Sequence, residues 1–573
     1  MKPNRIWHSE LALPEYPPNL AMLLNQNAHA FGKNPIYQEL HNGQYATLTW
    51  SDFQQDVIRL QGALSTRGLL PGDRVAILSQ NRREMLELEL AVMAMGAVSV
   101  PIYAGYLPDT SQALVEFCQP RMVVVADQTQ YSKLSTPDAF AAVIHFDPIL
   151  TNGQVHVISF EELLAAPPLS HEIRDTGVTP DTITLNMYTS GTMGTPKCVQ
   201  LTHGNILSQQ AAMHVLWKLD HRDRFLSYLP WHHSFGGIYE KYAAITNGAL
   251  LALEHGFGKN IEILLDNWEK VRPTVFFSVP KIYQEIATRV LKDPGLGWLI
   301  FHKELRFVFT AAAPLPKSVS DMFVERGIPV YEAWGLTETS PCCTVTDPTL
   351  PRMPGVVGKP IPGVSLKIDD AGEILVRGPN VMKGYFNNAE ATRKVLADDG
   401  WFATGDIGEF TDTGLRLIAR KDRIFKLSNA QKVIPTEIEA LILKECAYLS
   451  YAFVTGEGRD YPVVLLFPNK GMFARIPDAS QLKAGCHCPE SLEDMSVCLH
   501  RCLREINDAL EARYSRPMEA LLIDHELIIG SEALTPSMKV IPSRVARIFR
   551  EYIERLYGSE KQLPDKVYVI HLR

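Results

Sequence analysis

Residues 74–126 read RVAILSQNRREMLELELAVMAMGAVSVPIYAGYLPDTSQALVEFCQPRMVVVA. Three short, almost continuously apolar runs stand out in this stretch, at Arg74–Leu78, Val98–Pro101 and Met122–Ala126. The segments between them have helical patterns, so strand and helix alternate along the chain. Continuous apolar strands separated by helices are typical of a parallel sheet that is covered on both faces. The stretch therefore predicts an α/β fold.

The helix boundaries follow from local signals. Asn81 can cap the first helix, which we expect to run to about Met95 and to stop at Gly96. A second helix is predicted from about Thr110 to Phe117. The uncharged stretch Leu90–Leu107 is then the end of a buried helix followed by a buried strand, because a membrane span needs ~20 apolar residues without such breaks.

The last ~150 residues differ in pattern, with hairpin signals in place of strand–helix alternation. Similar α/β units precede them, at Arg224–Leu253, Thr274–Val290 and Leu305–Tyr331. The terminal region predicts the following elements: strands Tyr451–Val454 and Val463–Phe467 around a turn at Gly456–Asp460, a helix at about Ser496–Arg513, a strand at Leu521–Ile523 and a helix at about Ser543–Leu556. Ala419–Arg423 is the candidate linker. We therefore predict a large N-terminal multi-sheet α/β domain, 1–421, and a small C-terminal α+β domain, 422–573.

Composition limits the class of protein. The chain has 573 residues and a net charge of −8, which argues against a protein that coats nucleic acid. Hydrophobic residues make up 46% and charged residues 21%, as in an ordinary globular protein with a large core. Nine cysteines are too few for a disulfide framework and indicate reduced thiols. No signal-peptide pattern opens the sequence, so we expect a cytoplasmic location.

The segment Tyr188–Lys197, YTSGTMGTPK, follows a predicted strand at Thr182–Tyr188. Its two glycines let backbone N–H groups approach an anion, four hydroxyls add donors and Lys197 adds charge. This combination suits a polyphosphate, although a polar turn is the structural alternative. It is not a P-loop, because Cys198 follows Lys197 where a P-loop has Ser or Thr.

Two further segments place polar groups next to predicted strands. Tyr331–Thr339, YEAWGLTET, ends an apolar strand with Glu338, a carboxylate that could hold Mg²⁺, and contains Trp334, which could stack on a base. A core tryptophan and a surface glutamate are the alternative. Asp406, after Gly400–Gly405, could accept hydrogen bonds from two sugar hydroxyls, but an aspartate beside glycine is also common in turns.

The three segments, in this order and with Arg420 and Lys539 downstream, resemble the adenylate-forming superfamily of acyl-CoA synthetases, adenylation domains and luciferases. The resemblance extends from about Tyr45 to Tyr557. It is strongest to the long-chain fatty-acyl-CoA synthetase branch, on the evidence of Thr47–Trp50, Arg459–Phe467 and Leu534–Val540.

The resemblance implies activation of a medium- or long-chain fatty acid to acyl-AMP, followed by thioester formation with CoA. It implies Mg²⁺ as cofactor, ATP and CoA as cosubstrates and a mobile C-terminal domain, and it is compatible with a homodimer and with peripheral membrane contact. The roles that it implies are these: Thr189, Ser190, Gly191, Thr192, Gly194, Thr195 and Lys197 form the phosphate loop; Trp334 lies at adenine; Asp406 and Arg420 hold the ribose; Thr337 and Glu338 contact phosphate and Mg²⁺; His233 lies beside the substrate carboxylate; Asp422 is the hinge; Lys539 is the adenylation lysine; and Lys426 completes the catalytic set.

The sequence departs from the family pattern at Asn429 and Ala430, where glycines are usual in a loop that approaches the thiol acceptor. Asn tolerates left-handed backbone and Ala does so poorly. The departure leaves a carrier-protein thiol, or no thiol acceptor, open as an alternative to CoA. A catalytically silent lipid- or nucleotide-binding protein with this fold is a separate alternative.

Two smaller features are noted for their side chains. Cys486, His487 and Cys488 with Cys498, His500 and Cys502 offer ligands for zinc, but their spacing also fits a surface insertion. We also expect one member of the pair His232 and His233 to be structural.

Overall fold

A computed structural model describes residues 6–41, 43–151, 156–174, 177–189, 197–311, 313, 315–446, 448–469, 489–525, 527, 533–534, 540–558 and 567–572. These residues divide into two compact units. The first unit holds those within Met1–Thr189, Pro196–Thr404 and Glu409–Leu417. The second holds those within Gly405–Gly408 and Ile418–Arg573.

The strands within the described ranges are β1 (Trp7–His8), β2 (Pro35–His41), β3 (Gln44–Thr49), β4 (Arg74–Ser79), β5 (Val98–Tyr103), β6 (Met122–Val125), β7 (Ala142–His145), β8 (Val157–Ser159), β9 (Ile183–Thr189), β10 (Lys197–Thr202), β11 (Arg224–Ser227), β12 (Leu250–Leu253), β13 (Val275–Ser278), β14 (Phe307–Thr310), β15 (Val330–Gly335), β16 (Cys342–Val345), β17 (Lys359–Pro360), β18 (Ser365–Ile368), β19 (Glu373–Arg377), β20 (Gly384–Tyr385), β21 (Phe402–Phe410), β22 (Leu415–Arg420), β23 (Phe425–Lys426), β24 (Lys432–Val433), β25 (Leu449–Thr455), β26 (Val463–Pro468), β27 (Glu519–Ile523) and β28 (Val567–His571).

The α-helices in the same ranges are α1 (Leu20–Phe31), α2 (Trp50–Thr66), α3 (Arg83–Ala94), α4 (Pro108–Cys118), α5 (Gln128–Tyr131), α6 (Phe160–Leu164), α7 (His203–Trp217), α8 (Lys241–Thr246), α9 (Ile261–Val271), α10 (Pro280–Lys292), α11 (Leu296–Ile300), α12 (Lys317–Val324), α13 (Ala389–Val395), α14 (Pro435–Glu445), α15 (Leu492–Ala509), α16 (Pro542–Ile548) and α17 (Arg550–Tyr557). A π-helix at Phe235–Glu240 precedes α8.

The first unit contains two large sheets. The eight-stranded sheet has the order β20-β10-β9-β5-β4-β6-β7-β8, and its strands from β9 to β8 pair in parallel. The nine-stranded sheet has the order β17-β16-β15-β14-β13-β11-β12-β2-β3, with β15 to β2 in parallel. The parallel α/β arrangement predicted from residues 74–126 is therefore confirmed. Ligands of such sheets bind outside the carboxyl ends of the parallel strands, which directs attention to the segments after β9, β11 and β15.

The second unit contains a four-stranded sheet of order β25-β26-β27-β28. The β25–β26 pair is the antiparallel hairpin that the sequence predicts, and β27 joins β26 in parallel. The small strands β23 and β24 form a separate hairpin. A further sheet has the order β1-β18-β19-β21-β22.

Three local predictions need correction. Asn81 does not cap α3, which begins at Arg83 after Arg82 as its N-cap residue. The C-terminal helix is divided at Phe549 into α16 and α17. Ala419 and Arg420 are the last residues of β22, because their backbone still pairs within a sheet, so only the turn after them can serve as a linker.

Within the described ranges, none of the helices has the length and apolar character that a membrane crossing requires.

Candidate active site

The strands on either side of the predicted phosphate loop form an antiparallel pair. Thr189 ends β9, Lys197 begins β10, and these two residues are partners in the register. The connecting residues, with Ser190, Gly191, Thr192, Gly194 and Thr195 of the prediction, lie outside the described residues. The Lys197 Nζ lies 4.9 Å from the ring centroid of Tyr385, which places its charge against an aromatic face.

Tyr385 connects the phosphate-loop strands to Glu338. It lies in β20, which pairs with β10, and its hydroxyl donates a 2.8 Å hydrogen bond to Glu338 Oε1. Glu338 follows β15 of the other large sheet and is only 9% exposed. Tyr385 is not predictable from the sequence, because no motif around it distinguishes it from other tyrosines.

Trp334 and Thr337 lie at the carboxyl end of β15. Trp334 is 7% exposed and packs in the core of the first unit, with Thr344 as its partner on β16. Gly335 permits this pairing, because a Cβ there would lie 1.7 Å from the carbonyl oxygen of Pro341. The hydroxyl oxygens of Thr337 and Ser234 lie 3.1 Å apart. The segment that carries His233 therefore reaches the same place as the segment that carries Glu338.

The two adjacent histidines differ in environment. The His232 ring lies 4.6 Å from that of Tyr103, and burial, with a smaller contribution from His233, lowers the pKa of His232 to about 3. His232 is therefore neutral and packed against an aromatic ring, as expected for the structural member of the pair. The backbone N–H of Phe235 donates to His233 Nδ1 at 3.3 Å, so a neutral His233 carries its proton on Nε2.

Asn81 holds the segment that leads to these histidines. Its side-chain amide donates to the carbonyl of Leu229 at 2.8 Å and its Oδ1 accepts from the backbone N–H of Trp231 at 2.9 Å. Gly237 lies within the π-helix that follows the histidines, at a position where a Cβ would lie 1.9 Å from the Trp231 carbonyl oxygen. Asn81 is thus a positioning residue that the sequence analysis interpreted as a helix cap.

The donor set at the end of β15 fits Mg²⁺. This hard cation is commonly held by one or two carboxylates together with substrate phosphates, and Glu338 offers a carboxylate beside the Thr337 hydroxyl. In the described part of the chain, no group of three or more His, Cys, Asp or Glu side chains is placed to hold a metal by itself. The arrangement suits a cation that arrives with a polyphosphate.

The predicted ribose residues are brought together in the second unit. Arg420 Nη1 donates to Asp406 Oδ1 at 3.2 Å, and Arg420 Nε lies 3.4 Å from an oxygen of Asp422, the predicted hinge residue. Burial opposes the charge on Arg420, but the two aspartates together raise its pKa. One guanidinium therefore contacts both the predicted ribose ligand and the predicted hinge.

The loop between β23 and β24 contains the departure from the family pattern. Ala430 has a φ of 65°, in the left-handed region, whereas Asn429 does not. The Asn429 Oδ1 accepts from the backbone N–H of Gln431 at 3.1 Å. Lys426 lies before this loop and is exposed. The conformation that glycine favours is thus present, but at the alanine.

Other predictions fall on residues that the structure does not describe. Lys539 is one of them, as are Cys486, His487 and Cys488 of the candidate zinc cluster. Cys498 and Cys502 lie on α15, where Cys502 is buried.

Known proteins are similar to this chain over nearly its whole length. The profile of the AMP-binding enzyme family matches residues 24–386, and that of the AMP-binding enzyme C-terminal domain matches residues 422–561. Long chain acyl-CoA synthetase 7, peroxisomal, of Arabidopsis thaliana is 28% identical over 597 residues, which are 92% of this chain and 84% of that protein. The long-chain-fatty-acid–CoA ligase FadD15 of Mycobacterium bovis is 28% identical over 584 residues, 92% of this chain and 94% of the ligase.

Solved structures show the same fold. O-succinylbenzoate coenzyme A synthetase from Bacillus subtilis, in complex with AMP, superposes with a TM-score of 0.71 at 21% identity, over 92% of this chain and 98% of that one. ATP-bound MatB from Rhodopseudomonas palustris gives a TM-score of 0.71 at 23% identity, over 93% and 100% of the two chains.

Proposed function

The chain belongs to the AMP-binding enzyme family, and on this premise we propose that it activates a medium- or long-chain fatty acid with ATP and transfers the acyl group to CoA. The predicted resemblance to the adenylate-forming superfamily and the predicted fold class are confirmed by the family matches and the structural likenesses. Acid–CoA ligase activity of the adenylate-forming type is supported by the relatives. The fatty acid is the finer part of the proposal.

One observation supports the proposal above all. The contacts between Lys197 and Tyr385, between Tyr385 and Glu338, and between Thr337 and Ser234 join four separate segments of the first unit. A cation, a buried carboxylate and hydroxyls are thereby collected in one place, with His233 next to Ser234.

In the first half-reaction, a carboxylate oxygen of the fatty acid attacks the α-phosphorus of ATP, and pyrophosphate leaves. The reaction brings two anions together, so the site must supply positive charge; a general base is not needed because the nucleophile is already ionised. Lys197 supplies one such charge, and the Nε2–H of His233 can donate to the carboxylate. Mg²⁺, held by Glu338 and Thr337, would neutralise phosphate charge when bound.

In the second half-reaction, the CoA thiolate attacks the acyl carbon and AMP leaves as the other product. We assign Lys539 to the adenylation step and Lys426 to the remainder of the catalytic set, as the family resemblance implies. Asp406 accepts hydrogen bonds from the ribose hydroxyls, Trp334 lies at the adenine, and Asp422 is the hinge. Each of these roles is part of the proposal.

ATP–pyrophosphate exchange with a panel of carboxylic acids tests the first half-reaction. We expect exchange to depend on fatty acids of medium or long chain and to be weak with aromatic acids. Lys197→Ala should lower it strongly, whereas Lys359→Ala, which removes a surface lysine that contacts Glu10, should not. If none of the acids supports exchange, a silent binding protein is favoured. If exchange is largest with aromatic acids, the fatty-acid assignment is overturned.

AMP release with CoA or with acyl carrier protein tests the acceptor. We expect release to depend on CoA. Release that requires a carrier protein, or that follows adenylation without any thiol, would support the alternative acceptors instead.

A cytoplasmic location and a homodimer are also part of the proposal. The seven cysteines in the described part of the chain are all free thiols, as expected in a reducing compartment. Size-exclusion chromatography with light scattering would determine the oligomeric state.

A further inference from the structure

The loop between β23 and β24 is joined to the turn between β25 and β26 by three hydrogen bonds. The Ser428 hydroxyl donates to Asp460 Oδ1 at 2.6 Å, although the two residues lie 32 positions apart. The backbone N–H of Ser428 donates to the Arg459 carbonyl at 2.9 Å, and that of Gly458 donates to the Lys426 carbonyl at 2.8 Å. All of these residues belong to the second unit. The turn therefore holds the loop at Ser428 and at the end of β23.

The turn is itself fixed against α17. Arg459 Nη2 lies 2.6 Å from Glu554 Oε1 and 2.5 Å from Oε2, and the guanidinium lies 4.9 Å from the ring centroid of Tyr557. The Tyr557 hydroxyl donates to the Tyr461 carbonyl at 2.9 Å. An exposed ion pair adds little stability alone, but the ring contact and the hydrogen bond are two further attachments to the same helix. The turn is thus a firm support for the loop.

The loop depends on such support because of its backbone. Ala430 has a φ of 65°, which is unfavourable for a residue with a Cβ and persists only where the surroundings enforce it. Leu427 is buried, but residues 428–431 are exposed, so burial of apolar surface does not hold the tip of the loop. Hydrogen bonds within the loop and from the turn must hold it instead. Among the three from the turn, the Ser428–Asp460 bond joins two side chains, so a substitution can remove it without altering the backbone.

We propose that Ser428 and Asp460 are positioning residues for transfer of the acyl group to CoA. The inference rests on the proposed function, because the family resemblance is what brings this loop to the thiol acceptor. A hydrogen bond from a hydroxyl to an ionised carboxylate is stronger than one between neutral groups. It holds the loop in the conformation that includes the left-handed Ala430. Neither side chain takes part in the bond changes at the acyl carbon.

Loss of this bond should change the KM for CoA more than kcat. Without it, the loop has the competent conformation for a smaller fraction of the time. The apparent affinity for a ligand that binds this conformation falls by the same fraction, and saturating ligand draws the population back. Acyl-AMP forms before CoA reacts, so pyrophosphate exchange should not change.

Transfer of supplied acyl-AMP to CoA by the full chain tests the proposal. We expect Ser428→Ala and Asp460→Ala to raise the KM for CoA about threefold to tenfold, with the rate at saturating CoA and pyrophosphate exchange within about twofold of the parent. Ser428→Thr keeps the hydroxyl and should restore the KM. Adding Asp460→Ala to Ser428→Ala should have little further effect, because both substitutions remove the same bond.

Two substitutions on α15, in the same unit, are the matched controls. Ser496→Ala removes a hydroxyl that donates to the Glu493 carbonyl at 2.6 Å. Glu505→Ala removes a carboxylate that accepts from Arg501 Nε at 3.3 Å. Neither substitution should change the KM for CoA.

Hydrogen exchange measured by mass spectrometry examines the loop without substrate. The N–H groups of Leu427 and Ala430 donate to carbonyls within the loop. Ser428→Ala should accelerate their exchange about threefold to tenfold, whereas Ser496→Ala should not. Equal exchange in these two variants would mean that the Ser428–Asp460 bond does not hold the loop.

Three kinetic results would overturn the proposal: a KM for CoA that is equal in test and control variants, additive effects in the double variant, or pyrophosphate exchange that falls as much as transfer does. A parent that makes acyl-AMP but does not transfer it to CoA contradicts the proposed function. A parent that transfers normally, with test variants that match the controls, contradicts only the role of Ser428 and Asp460.

Discussion

Ala430→Gly should stabilise the loop between β23 and β24, although it removes a methyl group. Ala430 has a φ of 65°, a conformation that costs an L-residue with a Cβ about 1–2 kcal/mol and costs glycine almost nothing. Glycine also makes the unfolded chain more flexible, which costs ~0.4–1 kcal/mol. The net expectation is a stabilisation of about 0.5–1 kcal/mol.

Asn429→Gly provides a control of opposite sign at the next position. Asn429 lies outside the left-handed region, so glycine relieves no strain there. The substitution removes the hydrogen bond from the Gln431 N–H to the Asn429 side chain, worth ~0.5–1.5 kcal/mol, and adds the same unfolded-state flexibility. We expect a destabilisation of about 1–2 kcal/mol.

Hydrogen exchange measured by mass spectrometry is the appropriate assay. Every tryptophan lies at or before Trp401, in the first unit, so tryptophan fluorescence would not report on this loop. The informative amides are those of Leu427 and Ala430, which donate within the loop to Gln431 and Leu427 respectively. Ala430→Gly should slow their exchange about twofold to fivefold and Asn429→Gly should accelerate it. The reasoning is refuted if Ala430→Gly accelerates exchange or if both variants shift it in the same direction.

The same substitutions bear on the thioester step. Glycine at both positions should speed the decay of acyl-AMP with saturating CoA, because it removes the Ala430 methyl group and the Asn429 side chain from the loop that the family resemblance places at the thiol acceptor. Pyrophosphate exchange should be unchanged. Rapid-quench measurement of acyl-AMP gives the answer; no gain in the variant, with no acyl-AMP accumulation in the parent, would mean that the substitution is neutral.

Three further predictions follow from individual contacts. Tyr385→Phe should lower pyrophosphate exchange about tenfold to a hundredfold, since a hydrogen bond to an ionised group such as Glu338 is worth ~1.5–3 kcal/mol; unchanged exchange would remove Tyr385 from the site. Lys241→Met should destabilise the protein by ~3–5 kcal/mol, because it leaves the buried carboxylate of Glu89, 2.5 Å from Lys241 Nζ, without a positive partner. In thermal melts, the double variant with Glu89→Leu should recover most of that loss of stability. His232 has a folded-state pKa of about 3, against an ordinary value of 6.5, so the unfolded chain takes up the proton at higher pH than the folded chain does. As the pH falls from 6.5 towards 3, the free energy of unfolding should therefore decrease, by up to ~1.4 kcal/mol per pH unit. His232→Phe should make the free energy of unfolding depend less on pH in this range.

The sequence predicts the elements whose signal is local. The strand before the phosphate loop, β9, and the β25–β26 hairpin follow from apolar alternation and turn residues, and the structure has both. The division of the last helix at Phe549 has no such signal, because no glycine or proline occurs at the break. Phe549 is 3% exposed and packs against residues distant in sequence, which local patterns do not predict.

The site was predicted only where a motif marks it. Asn81 was predicted to be a helix cap, because asparagine is common at that position. In the structure its side chain accepts a hydrogen bond from the backbone N–H of Trp231, 150 positions away. Tyr385 reaches Glu338 across 47 positions, by pairing of short strands that sequence periodicity does not detect. At Ala430 the motif was informative, since it indicates a left-handed backbone conformation in this loop. The structure has that conformation at Ala430, although alanine tolerates it poorly.

Arg420 has a thermodynamic consequence, because its guanidinium contacts both Asp406 and Asp422. If Asp406 binds the ribose as proposed, the sugar hydroxyls compete with Arg420 for the Asp406 carboxylate. The Arg420 guanidinium then interacts less with Asp406 and more with Asp422. Coupling free energies are reciprocal, so if bound nucleotide changes the equilibrium constant of the Arg420–Asp422 contact, the formation of that contact must change nucleotide affinity by the same factor. Asp422→Asn should thus change the dissociation constant for ATP, even though residue 422 is not assigned to the nucleotide. The size of that change measures the coupling between nucleotide binding and the hinge contact.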